Sequence, residues 1–503
     1  MLRMNALACP LLRVSAVHAP LVLAGLLLCV VAPLAQIEQN DLVITGATLI
    51  DGTGAPPRNA TTIVAHRGRI IAVAADGEIQ QPKAARVVDA TGKYVIPGLA
   101  DMHVHFGLGT PLPRRGEETA EVLARSLYYG VTSILNLGAS DASTESIGAL
   151  RARRAAGTLQ APYIYGTGGH LTLPGTHPVF TIMPARIRQG AESILAGTPP
   201  GEPANLYSLG LGISLVRTSE AARKAVRERA SGGMHAIKIT IESGPASFGD
   251  NHPLMPVEMV RAIVAEAGRH SLPVFAHVTS PHELELALDG GTAAVAHAVV
   301  DRPLPDAALA RRMAAKRFAY VPTLTLFEGW ARYPADLNAL YDPFLRESLS
   351  DEAITALREP RFVDSIRRRA EAVAGGPAAD PNRHLRDVLS NVDMLHQQGV
   401  LIAVGTDTGN PFVFPGYSVH RELELLLRAG FTPMEALQAG TRRAAEMLRA
   451  EDTFGTIEVG KRADFLVLGA NPLHDIRNTR TLELIVSEGR VVDRAKLLQK
   501  PDR

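Results

Sequence analysis

The chain predicts an α/β protein, a (β/α)8 barrel with a small β-sandwich built from both termini, on three observations. Across residues 96–454 short apolar strands alternate with amphipathic helical stretches, the pattern of parallel β/α units. Eight such strands fit a closed barrel with insertions, and no early glycine-rich phosphate loop marks the doubly wound alternative. Antiparallel strand-and-turn texture occupies residues 36–95 and 455–503, and neither piece is long enough to bury much alone.

The first residues do not belong to this pattern. Arg3 and Arg13 precede an apolar run, Leu21–Ala35, and nothing charged occurs between Arg13 and Glu38. This predicts an export signal over 1–35 and a periplasmic or secreted protein; the charge-free span is also long enough for an uncleaved membrane anchor. Cleavage after Ala35 leaves Gln36 first, although Pro33 fits the small-residue rule poorly, and Leu28 argues against lipidation at Cys29. Both cysteines, Cys9 and Cys29, lie in this leader. Its removal excludes disulfides, thiolate nucleophiles and cysteine-held zinc, so any metal is held by histidine, carboxylate or a modified side chain.

The N-terminal module reads as strands Leu42–Ile50, Thr61–Ala65, Ile70–Ala74 and Arg86–Asp89, punctuated by Asp51-Gly52 and Arg67-Gly68. Its counterpart at the far end is Asp464–Leu468, Leu482–Ser487 and Arg490–Val492. The eight barrel strands are Val95–Phe106, Val131–Leu137, Tyr163–Gly168, His235–Glu242, Val274–Thr279, Ala293–Val299, Phe318–Leu326 and Leu401–Asp407. Helical patterns such as Glu220–Ala230, Pro256–His270 and Pro281–Leu288 fall between them, and the gaps Leu171–Thr218 and Phe327–Gln397 are places for lids or pocket walls.

With 46% apolar and 20% charged residues the chain can bury a sizeable core. Its 52 basic and 51 acidic residues leave a net charge of +1 without a long run of either sign, which argues against nucleic acid as a partner.

Chemistry-bearing residues gather at strand ends. His103 and His105 in DMHVHF lie two apart and so share a face, as paired metal ligands or as satisfied core residues. In HAIKITI the isoleucines should meet the helices, which aims Lys238 the other way. A buried lone ammonium is costly, so Lys238 is paired with a carboxylate, neutralised or modified; N-carboxylated, it is an anion able to bridge two dications. His277 in VFAHVTS, His297 in VAHAVV and Asp407 in VGTDTG each have an ordinary structural reading when taken singly. Together the six lie at the ends of strands one, four, five, six and eight, which a barrel brings to one face, and they predict a binuclear metal site.

In this order VIPGLADMHVH, IKITIESG, FAHVTS, AVAHA and VGTDTG resemble the amidohydrolase superfamily, and the likeness runs from about Asp41 to Val492. FTPMEALQAGTRRAAEML and GTIEVGKRADFLVL are similar to that family's final helices and returning strands. Within it the chain most resembles the imidazolonepropionase-like group, which includes metallo-dipeptidases and N-acyl amino acid hydrolases. Imidazolonepropionase itself is a one-metal enzyme without the bridging lysine, so Lys238 argues against that activity. The resemblance implies that His103, His105 and Asp407 hold one metal, His277 and His297 the other, and carboxylated Lys238 bridges both. Imidazole and carboxylate ligands without sulfur favour zinc. It further implies a hydroxide between the metals as nucleophile, with Asp407 taking its proton and passing it to the leaving amine.

Family members often carry Gly-Gly-His in the loop after strand three, which implies substrate contact for His170 in TGGHLTLPGTH and makes His177 a second candidate. Tyr320 at the start of strand seven reaches the pocket or packs in the barrel wall. Arg367, Arg368 and Arg369 read as a solvated helix face rather than a carboxylate clamp. The expectation is an exported two-metal hydrolase of C–N amide bonds in dipeptides or N-acyl amino acids, a small-molecule enzyme compatible with a homo-oligomer. Ester, lactone or phosphotriester hydrolysis at the same site is the alternative, and a non-catalytic scaffold a remote one.

Overall fold

The computed structural model describes residues 41–79, 85–105, 119–138, 146–243, 251–297, 299, 303–304, 306–373 and 380–499. The apolar leader with both cysteines lies outside these residues. No helix among the described residues is long and apolar enough to cross a membrane.

The two ends of the chain build one hydrogen-bonded sheet of eight strands. Leu42–Leu49, Arg58–His66, Arg69–Ala75, Arg86–Asp89 and Tyr94–Pro97 come from one end, and Phe465–Leu468, Leu482–Ser487 and Arg490–Val491 from the other. They join where Phe465–Leu468 runs antiparallel to Tyr94–Pro97, with Phe465 opposite Pro97 and Leu468 opposite Tyr94. Branched and aromatic side chains suit such a half-buried pleated surface, and Ile44, Ile63, Val95, Phe465 and Val486 share its core.

The stretch expected as a single strand, Val95–Phe106, is divided at Gly98. A Cβ there would lie 2.1 Å from Thr132 Oγ1, so only glycine allows the close approach. Tyr94–Pro97 therefore belongs to the terminal sheet, while Leu99–Val104 pairs in parallel with Val131–Asn136.

The remaining strands are parallel, apart from one short antiparallel pair, and form two sheets. Leu99–Val104, Val131–Asn136 and Tyr163–Gly166 make the first. In the second, Ile237–Thr240, Val274–His277, Ala294–Ala296, Ala319–Val321 and Leu401–Ile402 pair in chain order. Backbone hydrogen bonds cross between the sheets at both sides: His235 N to Gly166 O at 2.8 Å, and Met102 N to Val404 O at 2.9 Å. Alternation sorts the side chains. Ile237, Ile239 and Ile241 pack with Val260, Ile263 and Leu284 of the helices Val257–Arg269 and Pro281–Gly290. Ala236, Phe275, Ala294, Ala296, Ala319 and Val321 meet in a separate cluster. Thr218 caps the helix Ser219–Ser231, and Ser280 with Glu283 forms a capping box on Pro281–Gly290.

The expected strand Phe318–Leu326 ends early, at Val321. Pro322 has no N–H to continue the ladder, Thr323 turns left-handed at φ 50°, and the helix Leu324–Arg332 starts immediately. Its first N–H groups, those of Leu324 and Thr325, both donate to the buried Glu422 carboxylate at 2.8 Å. The two long gaps contain structure of their own: the helix Ala185–Gly197 over a small apolar cluster, and the helices Pro360–Val373 and Pro381–Gln397.

Phe465 is fully buried where the termini join, so Phe465→Ala should cost about 3–5 kcal/mol in urea unfolding. Val459→Ala, at a position 63% exposed, should stay within about 0.5 kcal/mol of the parent.

Candidate metal centre

His103 lies in the strand Leu99–Val104 with His105 just beyond it, Lys238 lies in Ile237–Thr240, and His277 ends Val274–His277. His297 follows Ala294–Ala296, and Asp407 lies beyond Leu401–Ile402. His103 and Lys238 are 0% exposed and Asp407 4%. His105 Nε2 is 3.0 Å and His103 Nε2 3.4 Å from Asp407 Oδ1, and the two imidazole nitrogens are 3.1 Å apart. Two ligand atoms each about 2.1 Å from a tetrahedral metal stand about 3.4 Å apart, so this trio is spaced to share one ion. His297 Nδ1 is 3.6 Å from Asp407 Oδ2. Its ring lies 4.5 Å from that of His103 and 4.4 Å from that of His277, which places it between the two expected ligand sets rather than with His277 alone.

Burial decides the charge states. It holds the His103, His170 and His297 imidazoles well below their ordinary value, and nearby cationic groups push the same way. His277 and His177 are lowered to about 3, burial again leading. These rings are neutral, the form that offers a lone pair to a metal. Burial also brings Lys238 down to about 7, against the pull of Asp407. His103 Nδ1, His170 Nε2, Lys238 Nζ and Asp407 Oδ1 make no hydrogen bond. Buried polar atoms left in this way are costly, and a divalent ion beside His103 Nε2 and His105 Nε2 would supply the missing partner of Asp407 Oδ1, so the residues present fit a metal centre.

Partners outside the cluster orient the rings. His105 Nδ1 donates to Gly138 O at 3.1 Å, His297 Nδ1 faces Thr323 Oγ1 at 3.4 Å, and His170 Nδ1 faces Thr240 Oγ1 at 3.2 Å. His105 and His170 thereby leave Nε2 for the centre, whereas His297 Nδ1 also faces Asp407. His297 at φ 77°, Thr323 at φ 50° and Asp407 at φ 63° adopt left-handed backbone, at about 1–3 kcal/mol apiece, strain of the kind that gathers at functional sites. Beneath them the Asp101 carboxylate accepts from His103 N at 3.1 Å, Thr406 N at 2.9 Å and Thr406 Oγ1 at 2.6 Å. Burial raises its pKa to about 7 against those hydrogen bonds.

Of the expected substrate residues, His170 is brought to the centre, its ring 6.2 Å from that of His105. His177 is too, stacked on His277 at 4.7 Å and 13°. Tyr320 is not. It is fully buried among the helix-side residues that include Ile237 and Ile239, and its hydroxyl accepts from Val299 N at 3.1 Å. Alternation gives the other face of that strand to Ala319 and Val321. Two residues join the site without having been foreseen there. Glu242 is 1% exposed with Oε2 2.8 Å from His277 Nε2. Arg369 was expected on a solvated face, but its guanidinium lies 4.6 Å from the centre of the Trp330 ring. Burial lowers its pKa while the charges of Asp407 and Glu242 oppose the shift. Its neighbours Arg367 and Arg368 are exposed as expected, and Arg367 pairs with Asp364 at 2.6 Å.

Comparison with known proteins gives a match of residues 94–492 to the model described as "Amidohydrolase family". Ochratoxinase of Aspergillus niger is 26% identical over 459 residues, covering 88% of this chain and 83% of that protein. Imidazolonepropionase of Symbiobacterium thermophilum is 28% identical over 456 residues, covering 86% of this chain and 92% of that protein. A crystal structure of a Xaa-Pro dipeptidase with bound methionine shares the fold at a TM-score of 0.69 with 22% identity, covering 90% of this chain and 100% of that one.

Asp101→Ala removes the acceptor of three buried donors, and each stranded donor costs about 1–3 kcal/mol. Chemical unfolding of the metal-free protein should therefore show a loss of at least about 2 kcal/mol.

Proposed function

The chain belongs to the amidohydrolase family and is a metal-dependent hydrolase, and we propose that it is an exported enzyme cleaving the C–N amide bond of dipeptides or N-acyl amino acids at a two-metal centre. The observation that carries this reading is the convergence of His103, His105, Lys238, His277, His297 and Asp407, nearly all buried, at the ends of parallel strands. Their spacings support His103, His105 and Asp407 as one ligand set, with His297 standing between that set and His277, which is read as the core of the other. Zinc suits these ligands best. When bound, such ions polarise a carbonyl and bring the pKa of water towards about 7.

Lys238 is read as N-carboxylated: its buried Nζ makes no hydrogen bond, and the carbamate is an anion suited to a place between two cations. Asp407 holds a proton during attack and returns it to the leaving amine. His170, its Nε2 buried and without a hydrogen bond, orients the substrate, and His177 covers His277. Arg369 takes the carboxylate that dipeptides and N-acyl amino acids have in common, held ready by the Trp330 ring. The two parallel sheets are read as one closed barrel over 96–454, supported by the hydrogen bonds that cross between them. Residues 36–95 and 455–503 make the sandwich beside it, and 1–35 direct export to the periplasm or the medium.

The deciding experiment measures amine release by the zinc- and bicarbonate-loaded protein across dipeptides and N-acyl amino acids, with lactones and phosphotriesters alongside. Release from a defined subset of amides is the expected result; turnover confined to lactones or phosphotriesters would overturn the amide reading and keep the metals. In that assay Lys238→Ala and Asp407→Ala should each lower kcat by about 1,000-fold or more, and a parental rate in either would sink the mechanism. Arg369→Ala should lower kcat/KM for an N-acyl amino acid about 10- to 100-fold and leave that for the matching C-terminal amide nearly unchanged.

A further inference from the structure

We propose that Glu242 is a positioning residue for His277: its carboxylate accepts a hydrogen bond from the Nε2–H of that ring and so presents Nδ1 as the nitrogen that binds metal, opposite in sense to His105 and His170. The proposal rests on the two-metal reading above and goes beyond it, since Glu242 is not among the ligands.

Glu242, His177 and His277 offer atoms close enough to hold an ion, and Glu242 Oε1 is buried without a hydrogen bond. The contact of its other oxygen decides between a positioning and a ligand role. Glu242 Oε2 and His277 Nε2 are 2.8 Å apart, a hydrogen-bond length. That contact is shorter than the 3.0–3.4 Å spacings of His103, His105 and Asp407 and than the distance of about 3.4 Å between two ligands of a tetrahedral zinc, so it is read as a hydrogen bond rather than as a shared ion. An imidazole has two nitrogens, and with Nε2 engaged the one available to a metal is Nδ1. His105 and His170 are arranged the other way, each using Nδ1 outward on Gly138 O or Thr240 Oγ1, while His297 Nδ1 lies between Thr323 Oγ1 and Asp407 Oδ2. Unlike those of His105 and His170, the partner of His277 is a carboxylate. A carboxylate behind a ligating histidine fixes tautomer and ring plane and makes the ligand more basic.

The chain around the pair is built to keep it in register. Glu242 lies two and four residues beyond Thr240 and Lys238, so period-2 alternation gives it the face of Lys238. Just after it, Ser243 N and Oγ donate to Glu283 Oε1 at 2.7 and 2.8 Å. Just after His277, Thr279 N and Ser280 N donate to Glu283 Oε2 at 2.7 and 3.0 Å. One buried carboxylate thus clamps both strand ends, and Ile241 N donates to His277 O at 3.0 Å between them. His177 closes the other side of the ring by stacking on it, with Nδ1 2.9 Å from Thr181 Oγ1 and 3.6 Å from Glu242 Oε2. His277 is held on its edge and on its face, as a ligand that must keep one orientation would be.

The test is chelator competition for zinc on the full chain, comparing wild type, Glu242→Ala and Glu242→Gln, with thermal melting of each metal-free protein. Wild type should bind two zinc equivalents. Glu242→Ala should weaken one of them about 10- to 100-fold and spare the other. Glu242→Gln should stay within a few-fold of wild type, because its amide oxygen accepts the same N–H. Wild-type affinity for both zincs in Glu242→Ala overturns the proposal. So does an equal loss of both zincs in the two variants with a lowered metal-free melting temperature, which would mark Glu242 as a fold residue. A single zinc on the wild type would end the two-metal reading, and the proposal with it, before any variant is compared.

Discussion

Three hydrogen bonds to the Asp101 carboxylate hold the first and last parallel segments together, and the place of the metal-binding groups follows from them. One donor, His103 N, comes from the strand that carries His103; the other two come from Thr406, next to Asp407. Asp407 N donates in turn to His103 O at 2.8 Å. The carboxylate is itself expensive to bury, and burial raises its pKa to about 7 against the three donors that stabilise its charge. The left-handed backbone at Asp407 is the second cost of aiming that side chain inward, and the same tie sustains it.

The centre as a whole repeats this trade. Rings that would be comfortable in water are placed where burial keeps them neutral, and Lys238 is brought to a position with no hydrogen-bond acceptor. None of this stabilises the chain alone. The apolar shell supplies that: Ile237, Ile239 and Ile241 on one face of their strand secure the backbone against the helices, which leaves the other face free to carry groups chosen for chemistry. A strand can divide its faces in this way because alternation makes them independent, and that is why the lysine sits inside an otherwise strongly apolar segment.

The same alternation explains what the sequence makes legible. Strand positions and the face of Lys238 follow from period 2, and the candidate ligands stand out as histidines and an aspartate at strand ends. Glu242 was within reach of the same rule, since it continues the Lys238–Thr240 face, but a carboxylate at a strand end looks like a cap until its partner is known. Tyr320 misleads for the opposite reason: it is polar-tipped and near a strand end, yet its parity matches the helix side, where Val299 N satisfies its hydroxyl. The helix Leu324–Arg332 reads as continued strand because its start depends on Glu422, a residue 98 positions away in the chain. Local pattern carries no trace of so distant an acceptor. Gly98 is similar, since the crowding by Thr132 that requires it appears only when the strands are paired.

Arg369 shows how the chemistry and its selectivity come apart. The candidate metal-binding groups stand at or near strand ends whose positions the whole fold determines, whereas Arg369 rides on Pro360–Val373, a helix that follows the strand Ala319–Val321 and the helix Leu324–Arg332. Phe362, Ile366 and Arg369 fall at helical spacing on one face; Phe362 packs on Phe412 at 5.5 Å, and Ile366 is buried, so the arginine is drawn inward by its apolar neighbours. Its long stem can lie along apolar surface while the guanidinium meets the Trp330 ring. Trp330 in turn belongs to the helix that Glu422 anchors. On the proposed reading of Arg369 as the group that takes the substrate carboxylate, a change of substrate would need only a change in this inserted helix, and would leave Asp101, Asp407 and the histidines untouched. That separation is the physical reason why one arrangement of strand-end ligands can serve many substrates, and why the ligands alone name a reaction without naming what is cleaved.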